Sequence, residues 1–287
     1  MAINGNKPRL QGHEKFALRE GWLNKGLEIL PQYPDAFTRK DATDLFGIGS
    51  NMVKSLRYWM KALGLTNDNG TELSDVGKII AKYDPYIEMD FSLWIMHSHI
   101  AKNLKDATTW YMYFNRCESD DLSKTELEII LNREITSYAA GQKFSEKSLG
   151  NDIDVLLNMY SGRKFNEDPE DKTVSPFAQL ALIKNTNGKY GKLHPERKYL
   201  SELIVLYELV LAMQGTGMIS IETAVNGENG LGKIYNLTNV MANDYFDRLE
   251  AADEIHVNRT AGLDMIYATN QLSPIEIIEN YYHTSNG

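Results

Sequence analysis

Val53, Leu56, Met60 and Leu63 recur at spacings of three, four and three, the repeat of one buried face on an α-helix. One residue beyond each of the first three stands a cation: Lys54, Arg57 and Lys61. A step of one residue turns about 100° around a helix, so these cations form a stripe of their own beside the apolar one. Ahead of this helix, residues 38–46 make a short amphipathic segment carrying Arg39 and Lys40, and Gly47-Ile48-Gly49 supplies a tight turn. Ser50 suits the cap of the second helix, with Asn51 beside it. Gly64 ends that helix. Asp68-Asn69-Gly70 then sits between Leu65-Thr66 and Thr71-Glu72-Leu73 as a hairpin signal, before Ser74 caps the next helix. Residues 37–77 therefore predict a winged helix-turn-helix.

Before it, residues 12–27 predict a helix with Phe16, Trp22, Leu23 and Leu27 inward and Arg19 and Lys25 outward. After it, residues 74–83 predict another, closed by Asp84-Pro85, because the residue before a proline is driven out of the α region. Residues 91–104, 123–139 and 145–160 predict a central helical region. Its aromatic block, Trp110, Tyr111, Tyr113 and Phe114, is assigned to core packing rather than base stacking. His97 and His99, two residues apart, face different sides of a helix and make a poor metal pair. Beyond a strongly apolar helix at 200–213 the opening pattern recurs: Ser220 caps a short helix, residues 237–252 form a longer one, and 255–267 form a hairpin. The exposed face of that longer helix offers Asp244, Asp247 and Glu250 against Arg248, which repels phosphate, so this unit reads as a protein-docking module. A final helix at 274–282 packs back on it. The expected fold class is mainly α: an N-terminal winged helix-turn-helix within residues 1–90, a central helical region at 91–165, and a C-terminal domain at 166–287 holding a second winged-helix-like unit.

With 287 residues and 43% hydrophobic content the chain can bury a proper core and divide into subdomains. It has no run of eighteen apolar residues and no signal-like N-terminus, which predicts a cytoplasmic protein with no membrane partner. Cys117, the single cysteine, excludes an internal disulfide and a Cys-rich zinc site and reads as a structural thiol. The net charge of −9 argues against indiscriminate DNA coating, so any DNA contact has to be local. Residues 166–171 read as an acidic linker. Residues 184–198 hold five cations against one Glu and read as a basic loop, in which Lys189 and Lys192 either clamp phosphate or serve an ordinary exposed connection. The DNA-contact set so defined is Arg39, Lys40, Ser50, Asn51, Lys54, Arg57, Lys61, Lys189 and Lys192, against the simpler reading of a solvated helix face.

No Walker lysine loop, dinucleotide fingerprint, nucleophile elbow or His-Glu-x-x-His pattern occurs. Two polar groupings stand out: His13, Glu14, Arg19 and Lys25, and the carboxylates Asp84, Glu88 and Asp90, which hold a divalent cation if their segment curls around it. Capping and surface roles are the simpler reading of both.

Gly12-His13-Glu14-x-Phe16-x-x-Arg19-x-Gly21-Trp22-Leu23-x-Lys25-Gly26, Gly47-Ile48-Gly49-x-Asn51-Met52-Val53-x-x-Leu56-Arg57-Tyr58-Trp59, Tyr83-Asp84-Pro85-Tyr86, Gly262-Leu263 and Tyr281-Tyr282 resemble a bacterial domain-of-unknown-function family, number four thousand and seven. Its SspB-like members are the DNA-nicking components of phosphorothioate modification systems. The resemblance spans nearly the whole chain. It implies a nicking endonuclease that opens double-stranded DNA for sulfur insertion in anti-phage defence, alongside a cysteine desulfurase, a sulfurylating ATP pyrophosphatase-like enzyme and an ATPase. It also implies a divalent metal, Mg²⁺ or Mn²⁺. On that view Arg19 and Lys25 stabilise phosphate charge, His13 or Glu14 acts as base, and Asp84, Glu88 and Asp90 bind the metal. Two rival classes stay open: a non-enzymatic DNA-binding adaptor that recruits partner enzymes, and a structural homodimer scaffold.

Overall fold

The computed structural model describes residues 7–161, 175–260, 262–269 and 272–285. The acidic stretch at 166–171 lies outside them. The chain is mainly helical with two small antiparallel sheets, and its contacts group into two compact units, Met1–Leu193 and His194–Gly287.

The first unit runs α1 (Trp22–Ile29), α2 (Ala42–Phe46), α3 (Ser50–Ala62), α4 (Asp75–Tyr83), α5 (Asp90–Lys102), α6 (Thr108–Arg116), β1 (Leu122–Ser123), α7 (Lys124–Ala139), α8 (Glu146–Ser161), a 3-10 turn at Pro176–Leu180, β2 (Ile183–Thr186) and β3 (Lys189–Lys192). Helix α3 buries Val53, Leu56 and Met60, with Leu63 just past its end, as the spacing requires. Helix α5 is buried nearly all round, the pattern of a central helix. All of Thr108–Asn115 on α6 is buried, so its aromatics are core. Ser123 and Glu126 form a reciprocal capping box on α7.

Three local expectations are corrected. The predicted helix at 12–27 begins only at Trp22: Gln11, Glu14 and Lys15 have φ of 57°, 50° and 67°, and Gly21 has 76°, left-handed values that no α-helix contains. Ser50 opens α3 as its first helical residue, with Gly49 in the extended cap position. The basic loop is a β-hairpin. Asn187 (φ 52°) and Gly188 (φ 82°) form a two-residue turn between Thr186 and Lys189, which pair across it, and β3 pairs β1 on its other side.

The second unit runs α9 (Glu202–Ala212), β4 (Met218–Ser220), α10 (Ile221–Asn226), α11 (Leu231–Ile234), α12 (Asn239–Ala251), β5 (Ile255–Thr260), β6 (Leu263–Ala268) and α13 (Pro274–Ser285). Its sheet has the order β4-β6-β5, and α13 packs on the apolar α9. Buried Tyr235 donates to the buried Glu208 carboxylate at 2.9 Å. Among the described residues no helix is long and apolar enough to cross a membrane.

Candidate nucleic-acid interface

Helix α3 exposes Lys54 and Arg57 to solvent, with Lys61 half-buried one turn further on. Among the described residues Lys54 and Arg57 form no ion pair; Lys54 Nζ donates only to Asn51 Oδ1 at 3.4 Å. Behind α3 the chain folds back in a tight turn at residues 66–73. Asn67 N–H donates to Glu72 O at 3.0 Å, Thr66 bridges Leu73, and Gly70 takes φ 67° at the turn. Arg57 Nη2 donates to the carbonyl of Asn69 at the tip of this turn at 2.7 Å, so helix and turn meet at this guanidinium. Beside them opens a groove of about 530 Å³, lined by Arg9, Glu14, Lys54, Arg57, Lys61, Asp68 and Asp106 among others.

Of the four residues expected to be catalytic, Glu14 alone lines this groove. His13 is fully buried. Its Nδ1 accepts from the Lys15 backbone N–H at 3.1 Å, which leaves the proton on Nε2, and Nε2 donates to Asp152 Oδ1 at 2.9 Å. Asp152 also accepts from Gln11 N–H at 2.7 Å and from the Thr109 hydroxyl at 2.8 Å. Trp59 stacks on the imidazole and Tyr58 and Trp110 meet it edge-on, so the ring is packed as part of the core. Burial, with the Asp152 charge second, raises the Tyr58 phenol well above its ordinary value. Lys25 Nζ donates to Phe46 O at 2.9 Å, at the carbonyl end of α2, and Arg19 lies over the Trp22 ring. The structure therefore does not bring the four together.

The expected metal trio is not assembled either. Asp84 is buried and accepts from Glu88 N–H at 2.8 Å, from Met89 N–H at 3.1 Å and from the Ser92 hydroxyl, which ties down the turn before α5. Glu88 points outward, and burial raises the carboxyl of Asp90. Among the described residues no three His, Cys, Asp or Glu are grouped to hold a metal ion, so these residues do not fit the metal the family resemblance implies.

Arg39 is bound to Asp41 by two 2.9 Å hydrogen bonds and lies over Tyr33, which takes up its charge locally. Lys40 is exposed, as are Ser50 and Asn51 at the amino end of α3. Lys189 sits 3.7 Å from Asp121. Lys192 Nζ donates to Phe114 O at 3.3 Å and Cys117 O at 2.8 Å, a cation on the carbonyl end of α6, and neither lysine of this hairpin lines the groove. The sequence pattern missed Arg9, Asp68, Lys105 and Asp106. Their only signal was position, on an arm and two loops without periodicity.

On unit 2 the carboxylates of α12 are largely neutralised by cations: Arg248 lies 3.1 Å and Arg197 3.7 Å from Asp244, and Arg259 lies 2.7 Å from Asp247.

These features define a mainly helical protein of two compact units, the first with a groove lined by four cations and three carboxylates. Residues 10–282 match the family described as "Protein of unknown function (DUF4007)", and the chain belongs to that family. Two solved structures share its fold. An "SspB crystal structure" superposes with a TM-score of 0.82 at 22% identity, covering 98% of this chain and 89% of that one. A "Magnesium ion-bound SspB crystal structure" gives 0.81 at 22% identity, covering 98% and 88%. No curated protein matches.

Proposed function

We propose that this chain is the DNA-engaging component of a phosphorothioate modification system, that it grips duplex DNA with α3 and its wing, and that it nicks one strand there. The observation that carries this reading is the pair Lys54 and Arg57, exposed, free of carboxylate partners among the described residues, and flanked by Arg9 in the same groove. Family membership and the fold shared with SspB support the pathway. Helices α2 and α3 with the turn at residues 66–73 are read as a winged helix-turn-helix. The order α9, β4, α10, α12, β5, β6 with sheet order β4-β6-β5 is read as a second winged-helix unit, one that docks partner enzymes.

In the groove the chain's own residues supply charge and position. Lys54, Arg57 and Arg9 take backbone phosphates, and exposed Glu14, the one member of the expected catalytic set that lines the groove, accepts a proton from an attacking water. No step is assigned to a metal.

Supercoiled plasmid incubated with the protein and Mg²⁺ or Mn²⁺ is expected to become open-circular, and Arg57→Glu to abolish this without altering the melting transition. Binding should weaken with salt, with a log–log slope of about −0.9 for each phosphate neutralised. Nicking by Arg57→Glu at the wild-type rate would overturn the interface.

One observation favours a second reading, the non-enzymatic adaptor: His13, Lys25 and Asp84 are all committed to structural hydrogen bonds. It predicts salt-sensitive binding, lost in Arg57→Glu, with the plasmid left intact under every metal tried.

A further inference from the structure

Two ion pairs cross the groove beside α3. Lys61 Nζ on the helix lies 3.0 Å from Asp106 Oδ1 in the loop between α5 and α6, and Lys105 Nζ from that same loop lies 2.9 Å from Asp68 Oδ2 on the wing. The pairs tie the 66–73 turn and the helix to one loop; Lys61, Asp68 and Asp106 line the groove, Lys105 reaches Asp68 from beyond that lining, and each carboxylate occupies a lysine that would otherwise be open to an anion. Their exposure differs. Asp68 and Lys105 are 76% and 70% exposed, whereas Asp106 and Lys61 are 18% and 26% exposed. An exposed pair of this kind adds little stability, so bracing alone is a poor account of the outer one. Contact with Lys105, by hydrogen bond first and charge second, holds the Asp68 carboxyl below the usual carboxylate range, and Asp68 holds the Lys105 ammonium above its own. Both partners stay ionised through the neutral range and available for exchange.

We infer that Asp68 and Asp106 act as built-in phosphate mimics: they occupy Lys105 and Lys61 in the free protein, and a DNA backbone displaces them, so that both lysines become phosphate contacts in the complex. The inference rests on the DNA-engaging reading of this groove and deepens it. Displacement is an exchange of one anion for another on the same cation, with hydrogen bonds exchanged and no covalent bond made or broken. Its consequence is discrimination. Isolated anions and short single strands do not repay loss of both internal pairs, whereas a duplex whose phosphates already engage Lys54 and Arg57 delivers further phosphates at high local concentration.

The test uses the full chain and a fluorescent 20-base-pair duplex, with anisotropy read from 50 to 300 mM salt. Asp68→Asn/Asp106→Asn is expected to bind about tenfold or more tightly at 0.1 M salt, with a salt slope changed by less than about one, because Lys61 and Lys105 contact phosphate in either complex. Asp75→Asn, which removes an exposed carboxylate paired with Lys78 on α4, should change affinity less than about twofold. Placed on Lys61→Gln/Lys105→Gln, the same two aspartate substitutions should gain almost nothing, because the cations they release are gone. Weaker or unchanged binding by Asp68→Asn/Asp106→Asn, or an equal gain on the lysine-free background, overturns the inference. Arg57→Glu, run in parallel, separates it from the reading beneath. If that variant binds like wild type, or wild type binds no duplex at 50 mM salt, the interface itself fails. If Arg57→Glu loses binding while the aspartate variants change nothing, only the mimicry fails.

Discussion

Asp152 ties the start of the described chain to its core. One buried carboxylate receives the Gln11 backbone N–H and the His13 imidazole from the segment before α1 and the Thr109 hydroxyl from α6. Buried donors left without an acceptor cost roughly 1–3 kcal/mol each, so Asp152→Ala is expected to lose about 3–5 kcal/mol, near the upper end of single-substitution effects. Asp152→Asn, which keeps one carbonyl oxygen, should lose distinctly less. Urea unfolding checks both, and a loss under about 1 kcal/mol for the alanine variant would show that the network is not the clasp described here. His13 belongs to this clasp, which gives a structural reason for a histidine at that position. From sequence alone, His13 beside Glu14 reads equally as a base or as a core residue, because the partner that decides between them lies 139 residues away.

At the scale of elements, the wing is where backbone conformation and charge meet. Gly70 holds φ 67°, and a Cβ added there would lie 3.2 Å from Arg57 Nε. Gly70→Ala should therefore cost about 1 kcal/mol for the left-handed backbone and also push the guanidinium off the Asn69 carbonyl. Affinity for duplex should fall by more than the stability loss explains, with the protein still folded at 25 °C; anisotropy beside a thermal melt separates the two effects, and unchanged affinity would mean that the Arg57 position does not matter. Much at this scale was legible. The stripe on α3 followed from a 3.6-residue period, and the turn at residues 66–73 from Asn69-Gly70 between short extended runs. The same rule written as Asn187-Gly188 was passed over inside a run of cations, where composition suggested a loop and the pairing of β3 with both β1 and β2 was decisive. The segment at 12–21 failed for another reason. Its apolar spacing suits a helix, but Gln11, Glu14 and Lys15 take left-handed φ where Gln11 N–H and His13 bind Asp152 and Lys15 N–H turns back to His13. The crossed ion pairs were beyond reach, since Asp68 and Lys105 are 37 residues apart and neither sits in a periodic pattern.

At the scale of the molecule, the proposed duplex contact has to form on a protein whose net charge is −9. Long-range repulsion falls away beyond about 10 Å at 0.1 M salt, so binding depends on where the cations stand and hardly on their total. This separates the two units. Unit 1 carries Lys54 and Arg57 without carboxylate partners among the described residues, whereas unit 2 commits Arg248 to Asp244 and Glu202, and Arg259 to Asp247. Lys54→Gln/Arg57→Gln and Arg248→Gln/Arg259→Gln lower the net charge of the full chain by the same amount, so any difference between them is local. The first pair is expected to reduce duplex affinity by tenfold or more at 0.1 M salt and to flatten the salt slope by about two. The second, whose guanidiniums already face carboxylates, should change affinity less than about threefold. Equal losses would mean that the field of the whole protein governs the encounter. A larger loss from the second pair would move the interface to α12 and leave the groove on α3 without its proposed role.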